Sequence, residues 1–336
     1  MKKFSARFTY SMALAMLFTL STLQVAAQKI PVIFDTDANN ELDDQHALAY
    51  LLFSRDIFDI RGITINATRN GGPVTEQYEE AKRVVYLCGQ QGKQKIIIGA
   101  NQNYKDLKDS LLTDNYVGRH AVNFIIDEAM RIRQQKLNVV AVGKLTNVAL
   151  AIERQPIVAD RIRLIWLGSN YPAAGEYNLV NDTAALNYVL KTNVEMEIVP
   201  VRPNDTTGTR HVRVLQREIE ARMPCLGPIQ QTGIEGRRRD GKLFTNFGDY
   251  SVDLFKHIRY STTPPDRALF DLVPLSLLRQ PAWGQRTRVT NPVYTAEGFK
   301  TDTTNVPTRE VIVWENFNRN AIIEDFFRVM GLAGKK

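Results

Sequence analysis

In 336 residues the chain has only two cysteines, Cys88 and Cys225. So small a number excludes a scaffold built on disulfides; one bridge is permitted in an oxidising compartment, and free buried thiols fit equally well. Beyond residue 27 no run is apolar enough to span a bilayer. Charge of one sign is also scarce. The formal net charge is +7, and three of those charges are Lys2, Lys3 and Arg7, which leaves +4 for the rest. That excess is too small to argue for nucleic-acid binding. The one dense basic run, Arg237-Arg238-Arg239, is expected to be a solvated loop. Internal repeats, low-complexity tracts and a clear linker are missing as well, so a single domain over residues 28–336 is expected.

The N-terminus supplies what the rest lacks. Lys2, Lys3 and Arg7 precede the apolar run Met12 to Leu20, and Val25-Ala26-Ala27 places small residues where a signal peptidase reads. The apolar core is shorter than the roughly 20 residues of a membrane span. Residues 1–27 therefore read as a cleaved signal peptide, with no cysteine near the cut to carry a lipid. A periplasmic or secreted mature protein follows, with no membrane partner once the leader is removed.

Apolar runs of strand length alternate with helical patterns through the first two-thirds. Val32-Ile33-Phe34 is followed by a predicted helix from Asp43 to Phe53, with Leu48, Leu51 and Leu52 on one face. Strands follow at Ile60 to Ile65, Ile96 to Ile98, Leu137 to Val142 and Leu164 to Gly168, with helices at Glu79–Cys88, Gly118–Gln134 and Asn147–Glu153 between them. This order predicts an α/β fold, an open and mostly parallel sheet with helices on both faces and a Rossmann-like core. Ligands of such sheets bind beyond the carboxyl ends of the strands. After Pro200 the pattern loosens into expected loops. It recovers in a strand at Val311–Trp314 and a helix from Ala321 to Met330.

The densest chemistry lies where the first strand ends. Asp35-Thr36-Asp37-Ala38-Asn39-Asn40-Glu41-Leu42-Asp43-Asp44 packs five carboxylates into ten residues. Desolvated without a partner, they would repel by several kcal/mol in total, on the order set by Coulomb's law at low dielectric. A hard divalent cation taking oxygen ligands resolves that repulsion. Asp35 and Asp37, two apart on extended chain, are expected to point roughly the same way. Asp43 and Asp44 open a helix, where the dipole favours negative charge. The alternative of an N-cap beside a solvated acidic loop suits a lone Asp-Thr-Asp better than it suits the double cluster. Haloacid dehalogenase-like phosphatases also begin with a strand and Asp-x-Asp, with the first Asp, here Asp35, as nucleophile. They want Thr or Val two residues after the second Asp, where this chain has Asn39.

Strand-borne Asp35-Thr36-Asp37 followed by Asp43-Asp44 and a helix resembles the inosine-uridine-preferring nucleoside hydrolase family, with a longer spacer than its best-known members. Further segments agree in order. Arg119 to Asp127 resembles the helix ahead of the family's central strand, and Gly143-Lys144-Leu145-Thr146-Asn147 is similar to its Gly-Gly-Leu-Thr-Asn turn. Glu176-Tyr177-Asn178 resembles its Glu-Phe-Asn ribose motif, with Ala184-Ala185 at the expected distance. The resemblance runs from Lys29 to Val199, weakens from Pro200 to Pro265 and returns at Phe270-Asp271.

It implies a calcium-dependent ribonucleoside hydrolase that releases base and ribose. Asp37 would bind calcium and act as the general base, with Asp44, Asp271 and the Val142 carbonyl as further ligands. Asp43, Glu176, Asn178 and Asp271 would hold ribose, with Asn170 toward the 5′ end, although the loop before Glu176 is shorter than in the family. Many members carry a leaving-group acid, His, immediately before the residue matched by Asp271. Here that residue is Phe270, which leaves His257 and Tyr260 as alternative donors on the leaving-group side and Phe270 as a stacking surface. His46 is expected on a helix face and His120 in a structural helix, and His211 has no assigned role. The family implies a homo-oligomer without indicating an interface. A nucleoside- or sugar-binding protein that has lost turnover is the non-enzymatic rival.

Overall fold

The computed structural model describes residues 28–304 and 307–333. The expected leader and its cleavage position lie outside the described residues. Eight strands form the central sheet: β1 Ile30–Thr36, β2 Phe58–Ile65, β3 Ile96–Ile98, β4 Leu137–Ala141, β5 Ile162–Leu167, β6 Glu195–Val199, β7 Gln285–Thr290 and β8 Glu310–Glu315. Their spatial order is β7-β8-β6-β5-β4-β1-β2-β3. Every pairing is parallel except the edge pair β7–β8.

Alternation along the strands builds a core on each face of the sheet. On β1, Val32 and Phe34 enter a layer shared with helices Leu42–Phe53, Val74–Leu87 and Leu272–Arg279. Ile33 enters the opposite layer, with helices Arg119–Arg131 and Thr146–Arg154. Each side chain buried this way contributes about 1.5–3 kcal/mol. β1 pairs with β2 on one side and β4 on the other, so the chain leaves this edge in opposite directions and opens a crevice. The acid-rich segment enters that crevice directly from β1.

Helix Leu42–Phe53 differs from the amphipathic helix expected. Every residue from Leu42 to Leu52 is buried, because helices Val74–Leu87, Phe247–Lys256, Leu272–Arg279 and Arg319–Leu332 surround it. Its polar members must therefore find internal partners. Gln45 donates to the Ala38 carbonyl at 2.8 Å. His46 Nδ1 lies 2.5 Å from the Leu42 carbonyl, and Nε2 2.6 Å from Ser251 Oγ. A carbonyl only accepts, so Nδ1 carries the proton and Ser251 donates to Nε2. Burial holds the imidazole pKa down to about 4; His46 is a neutral core residue.

Strand β6 was not expected, since Glu195 and Glu197 interrupt its apolar run. Glu197 is nonetheless buried, with Arg163 Nη2 at 2.7 Å and Trp314 Nε1 at 2.7 Å. The stretch after Pro200 is more ordered than its glycines and prolines suggest. Arg213–Leu215 pairs antiparallel with Asp266–Ala268, and helices form at Gln216–Arg222 and Phe247–Lys256. The second helix starts where the Asn246 side chain accepts from the Asp249 amide at 2.8 Å. Both cysteines are free thiols, Cys88 buried and Cys225 exposed. Among the described residues no helix is long and apolar enough to cross a membrane.

Candidate metal and sugar site

The two acids of Asp-Thr-Asp have different surroundings. Asp35, still on β1, is fully buried and takes hydrogen bonds from Thr64 Oγ1 at 2.6 Å, Asn66 Nδ2 at 2.7 Å and Asn147 Nδ2 at 2.7 Å. It ties β1, β2 and the turn after β4 together, and a nucleophile so enclosed has no path to a phosphoester. Asp37 stands just beyond the strand. Its Oδ2 accepts from the Thr68 hydroxyl, while its buried Oδ1 has no partner among the described residues. Gly143 makes room for that oxygen: a Cβ there would stand 2.9 Å from Asp37 Oδ1 and 2.5 Å from Asn66 Oδ1. This close approach explains the glycine in the turn after β4.

Three more carboxylates meet beside it. Asp43 and Asp44, in the first turn of helix Leu42–Phe53, and Asp271, at the start of helix Leu272–Arg279, each place an oxygen within 4.8 Å of the other two. All three are nearly inaccessible to solvent. The hydroxyl of Thr36 donates to Asp44 at 2.6 Å.

Burial is the main cause of their altered acidity, and mutual repulsion adds to it. Desolvation raises Asp37 to about 6, with the Thr68 hydrogen bond opposing and Asp35 and Glu176 reinforcing the rise. Asp43 rises to about 7, chiefly by burial, although the backbone at Phe270 and Asp271 hydrogen-bonds its carboxylate. Asp44 and Asp271 are pushed well above the ordinary carboxylate range by burial and by their acidic neighbours. Such a set is hard to ionise together without a cation, and an orphaned oxygen beside it is the local signature of a missing partner. The residues present therefore fit a hard divalent ion.

A cavity of about 240 Å³ opens from this cluster toward the loops after β4, β5 and β6. Asp43, Asp44 and Asp271 line it together with Asn170, Glu176, Asn178 and Phe270. Val142 lines it too, and its carbonyl accepts from Asn178 Nδ2 at 2.8 Å, which leaves one lone pair. The second amide hydrogen of Asn178 goes to the Leu167 carbonyl at 3.1 Å, so only its side-chain oxygen remains for a ligand. Glu176 caps the short helix Tyr177–Asn181: Oε2 accepts from the Ser169 and Leu179 amides and Oε1 from the Asn178 amide. Oε1 is the freer acceptor. Its φ of 112° lies in a region costly for a residue with a side chain, by roughly 1–3 kcal/mol, and Ser169 at 73° is left-handed too.

A hairpin of strands Pro292–Thr295 and Gly298–Thr301 braces this loop, with Phe299 N donating to the Pro172 carbonyl at 2.9 Å and Gly175 N to Tyr294 Oη at 3.1 Å. Asn170 keeps a buried side-chain oxygen without a partner among the described residues, and so does Asn40 on the same cavity wall.

The three residues expected on the leaving-group side are separated. Phe270 lines this cavity, whereas His257 and Tyr260 do not. Tyr260 spends its hydroxyl on the Phe255 carbonyl at 2.6 Å, within its own segment. His257 ends helix Phe247–Lys256 with Nδ1 2.8 Å from the Asp253 carbonyl, and it faces a neighbouring cavity. Four polar wall residues were not anticipated, Asn40, Glu41, Asn70 and Tyr177, nor were the apolar Leu167, Val201 and Pro203. Tyr177 Oη accepts from the Asn70 amide at 2.8 Å, linking the loops after β2 and β5. Asn40, Glu41 and Tyr177 sit inside the quoted motifs, so their position was a usable signal. Asn70 carried none.

Known proteins match this arrangement. The family described as inosine-uridine preferring nucleoside hydrolase matches residues 32–322. An inosine-uridine preferring nucleoside hydrolase of Crithidia fasciculata is 31% identical over 87 residues, 24% of this chain and 28% of the relative. One from Leishmania major is 33% identical over 89 residues, covering the same shares. These alignments thus span little more than a quarter of each relative's length. Among solved structures, a purine-preferring ribonucleoside hydrolase from Gardnerella vaginalis superposes with a TM-score of 0.69 at 19% identity, over 91% of this chain and all of the other. At that identity the likeness is one of fold.

Proposed function

Because the chain belongs to the inosine-uridine preferring nucleoside hydrolase family, we propose that it hydrolyses the N-glycosidic bond of ribonucleosides to free base and ribose. The observation that carries this reading is the convergence of Asp43, Asp44 and Asp271, from separate parts of the chain, beside the orphaned oxygen of Asp37.

Calcium is the ion we assign. Asp37, Asp44, Asp271 and the Val142 carbonyl would hold it, an all-oxygen set of the kind that ion takes. When bound, it neutralises the carboxylates and makes a neighbouring water more acidic. Asp37 receives the proton of the attacking water on its carboxylate, whose Oδ1 has no protein partner among the described residues. Burial raises its pKa to about 6 in the metal-free protein, and a bound cation would lower it, so Asp37 would be ionised at neutral pH and able to take that proton. Breaking the bond develops positive charge on the ribosyl ring, which the buried acidic wall stabilises. Asp43, Asn178 and Glu176 Oε1 accept from ribose hydroxyls, and Asn170 and Asn40 add acceptors. An unpaired buried polar group costs about 1–3 kcal/mol, so deoxyribosides should react poorly. The N-terminal 27 residues support action outside the cytoplasm, in a periplasm or after secretion.

The test is a ribonucleoside panel incubated with the purified protein and calcium, with and without chelator, read as reducing sugar released. Sugar release that depends on metal is expected; none with any nucleoside rejects the hydrolase. Phe270, in a place where many relatives have an acid, favours one rival, a binder without turnover. Saturable nucleoside binding without sugar release would identify it.

A further inference from the structure

A second cavity, of about 410 Å³, shares the wall formed by Asn40 and Glu41 with the first. Its lining has the opposite charge: four arginines, Arg237, Arg238, Arg259 and Arg267, against two carboxylates, Glu41 and Asp253. Both carboxylates are already engaged. Arg267 pairs with Glu41, and Asp253 accepts from Lys242 Nζ at 2.5 Å, with Arg238 also near. Arg259 is exposed on this wall with no ion-pair partner among the described residues, and the buried Nε of Arg267 has no partner either. The Arg237–Arg239 run lies on a loop with Arg238 and Arg239 exposed as expected, but Arg237 is half-buried and donates to the Asn39 carbonyl at 2.5 Å.

We propose that this cavity receives the aglycone and selects one that carries a carboxylate. The inference rests on the hydrolase reading. With ribose held against the acidic wall, the space across Asn40 and Glu41 is where a leaving group extends. Two unbalanced guanidiniums there favour an anion, and their planar forks match a carboxylate in bidentate fashion. A heteroaromatic ring with one carboxyl group fits the volume. The same charge layout suits the reaction, since the sugar becomes positive on one side of the wall while electrons pass to the aglycone on the other.

A matched pair of probes isolates carboxylate recognition: nicotinate riboside and nicotinamide riboside, identical except for carboxylate against carboxamide. In each, water forms the C1′–O bond, the C1′–N bond breaks, and the bonding pair passes to the ring nitrogen. That pair cancels the pyridinium charge. Departure therefore needs no proton where Phe270 has none to give, and the proton lost by water goes to Asp37 and then to solvent.

We expect kcat/KM for the acid to exceed that for the amide at least tenfold, roughly the discrimination of one charge-assisted hydrogen bond. The ratio should shrink toward one in Arg259→Gln, whose exposed side chain is dispensable for folding, and in Arg237→Gln. Titration calorimetry of Asp37→Asn protein with both ribosides supplies a readout without turnover and should show the same preference. Cleavage of neutral ribosides with an acid-to-amide ratio of one or less overturns this assignment and leaves the hydrolase standing. So does a ratio unchanged in both arginine variants. Preferential binding of the acid without cleavage of any riboside supports the cavity and rejects the hydrolase.

Discussion

The two cavities that meet at Asn40 and Glu41 have opposite charge and are held in opposite ways. On one side, Asp37, Asp43, Asp44 and Asp271 are buried nearly completely, on a strand end and two helix starts packed into the core. On the other, Arg237 and Arg259 sit on loops, half-buried and exposed, with few internal bonds. A carboxylate cluster that must hold a fixed geometry needs the rigid carboxyl edge of a parallel sheet. A surface that discriminates among aglycones needs only long side chains on variable loops. On the function proposed above, the contrast would put the chemistry common to all ribosides in the core and the choice of leaving group at the rim.

The largest break in this comparison should come from Asp37. Replacing it by Asn removes the proton acceptor while keeping the shape, and a positioned base contributes about 10²–10⁴-fold. We expect kcat to fall by that order with the melting temperature little changed; a loss below tenfold would remove Asp37 as base.

Asp271→Asn should weaken calcium binding by about tenfold or more, because one of the converging carboxylates loses its charge. Calorimetric titration checks this, and unchanged affinity would exclude Asp271 from the metal site.

Next in size is Phe270→His, which offers an imidazole on the leaving-group side. For neutral nucleosides, whose base departs best when protonated, kcat should rise by about tenfold, less than the roughly 10²-fold or more of an optimally placed general acid. No gain, or a loss, would show that departure already has its proton.

Stability should sharpen the contrast through pH. Asp43 has a folded pKa of about 7, and Asp44 and Asp271 are also raised well above the ordinary carboxylate range, against about 3.9 unfolded. The folded metal-free protein therefore holds protons that the unfolded chain releases. Its stabilisation is complete below the unfolded value and is lost as pH rises through 7. Calcium bound at the proposed site would displace those protons, so the melting-temperature gain on adding it should be larger at pH 8 than at pH 5. Parallel curves with and without calcium would contradict the assignment. The smallest effect should come from Tyr260→Phe: less than twofold in kcat/KM, with a stability loss of about 0.5–1.5 kcal/mol from the Phe255 hydrogen bond.

Much of the fold was legible because it is local and periodic. The strands β1 to β5 and the helices between them follow from apolar alternation, within a few residues at their ends. Strand β6 was obscured by Glu197, whose burial depends on Arg163 and Trp314 from other strands. Helix Leu42–Phe53 shows a one-sided leucine pattern yet is buried all round, because four helices distant in sequence close over it. His257 and Tyr260 pointed toward the base only by their place in the chain. The hydrogen bond to Phe255 takes Tyr260 out of both cavity walls, while His257, held by the Asp253 carbonyl, lines the second cavity rather than the first.

The order of residues alone determined that carboxylates crowd the end of the first strand, and that an asparagine-bearing Glu-Tyr-Asn turn and a Phe-Asp pair follow far downstream. Asp35 and Asp37 look equivalent there, two acids in one tripeptide. Only the folded chain separates them: Thr64, Asn66 and Asn147 close around the first, while Gly143 leaves one oxygen of the second bare. Likewise the three arginines in a row read as solvated charge, and Arg238 and Arg239 are exposed; only Arg237 is half-buried, drawn in by the Asn39 carbonyl to line the second cavity. Each of these outcomes depends on groups tens to hundreds of residues away. Their approach is fixed by the non-local packing of sheet and helices, which no short stretch of sequence encodes by itself.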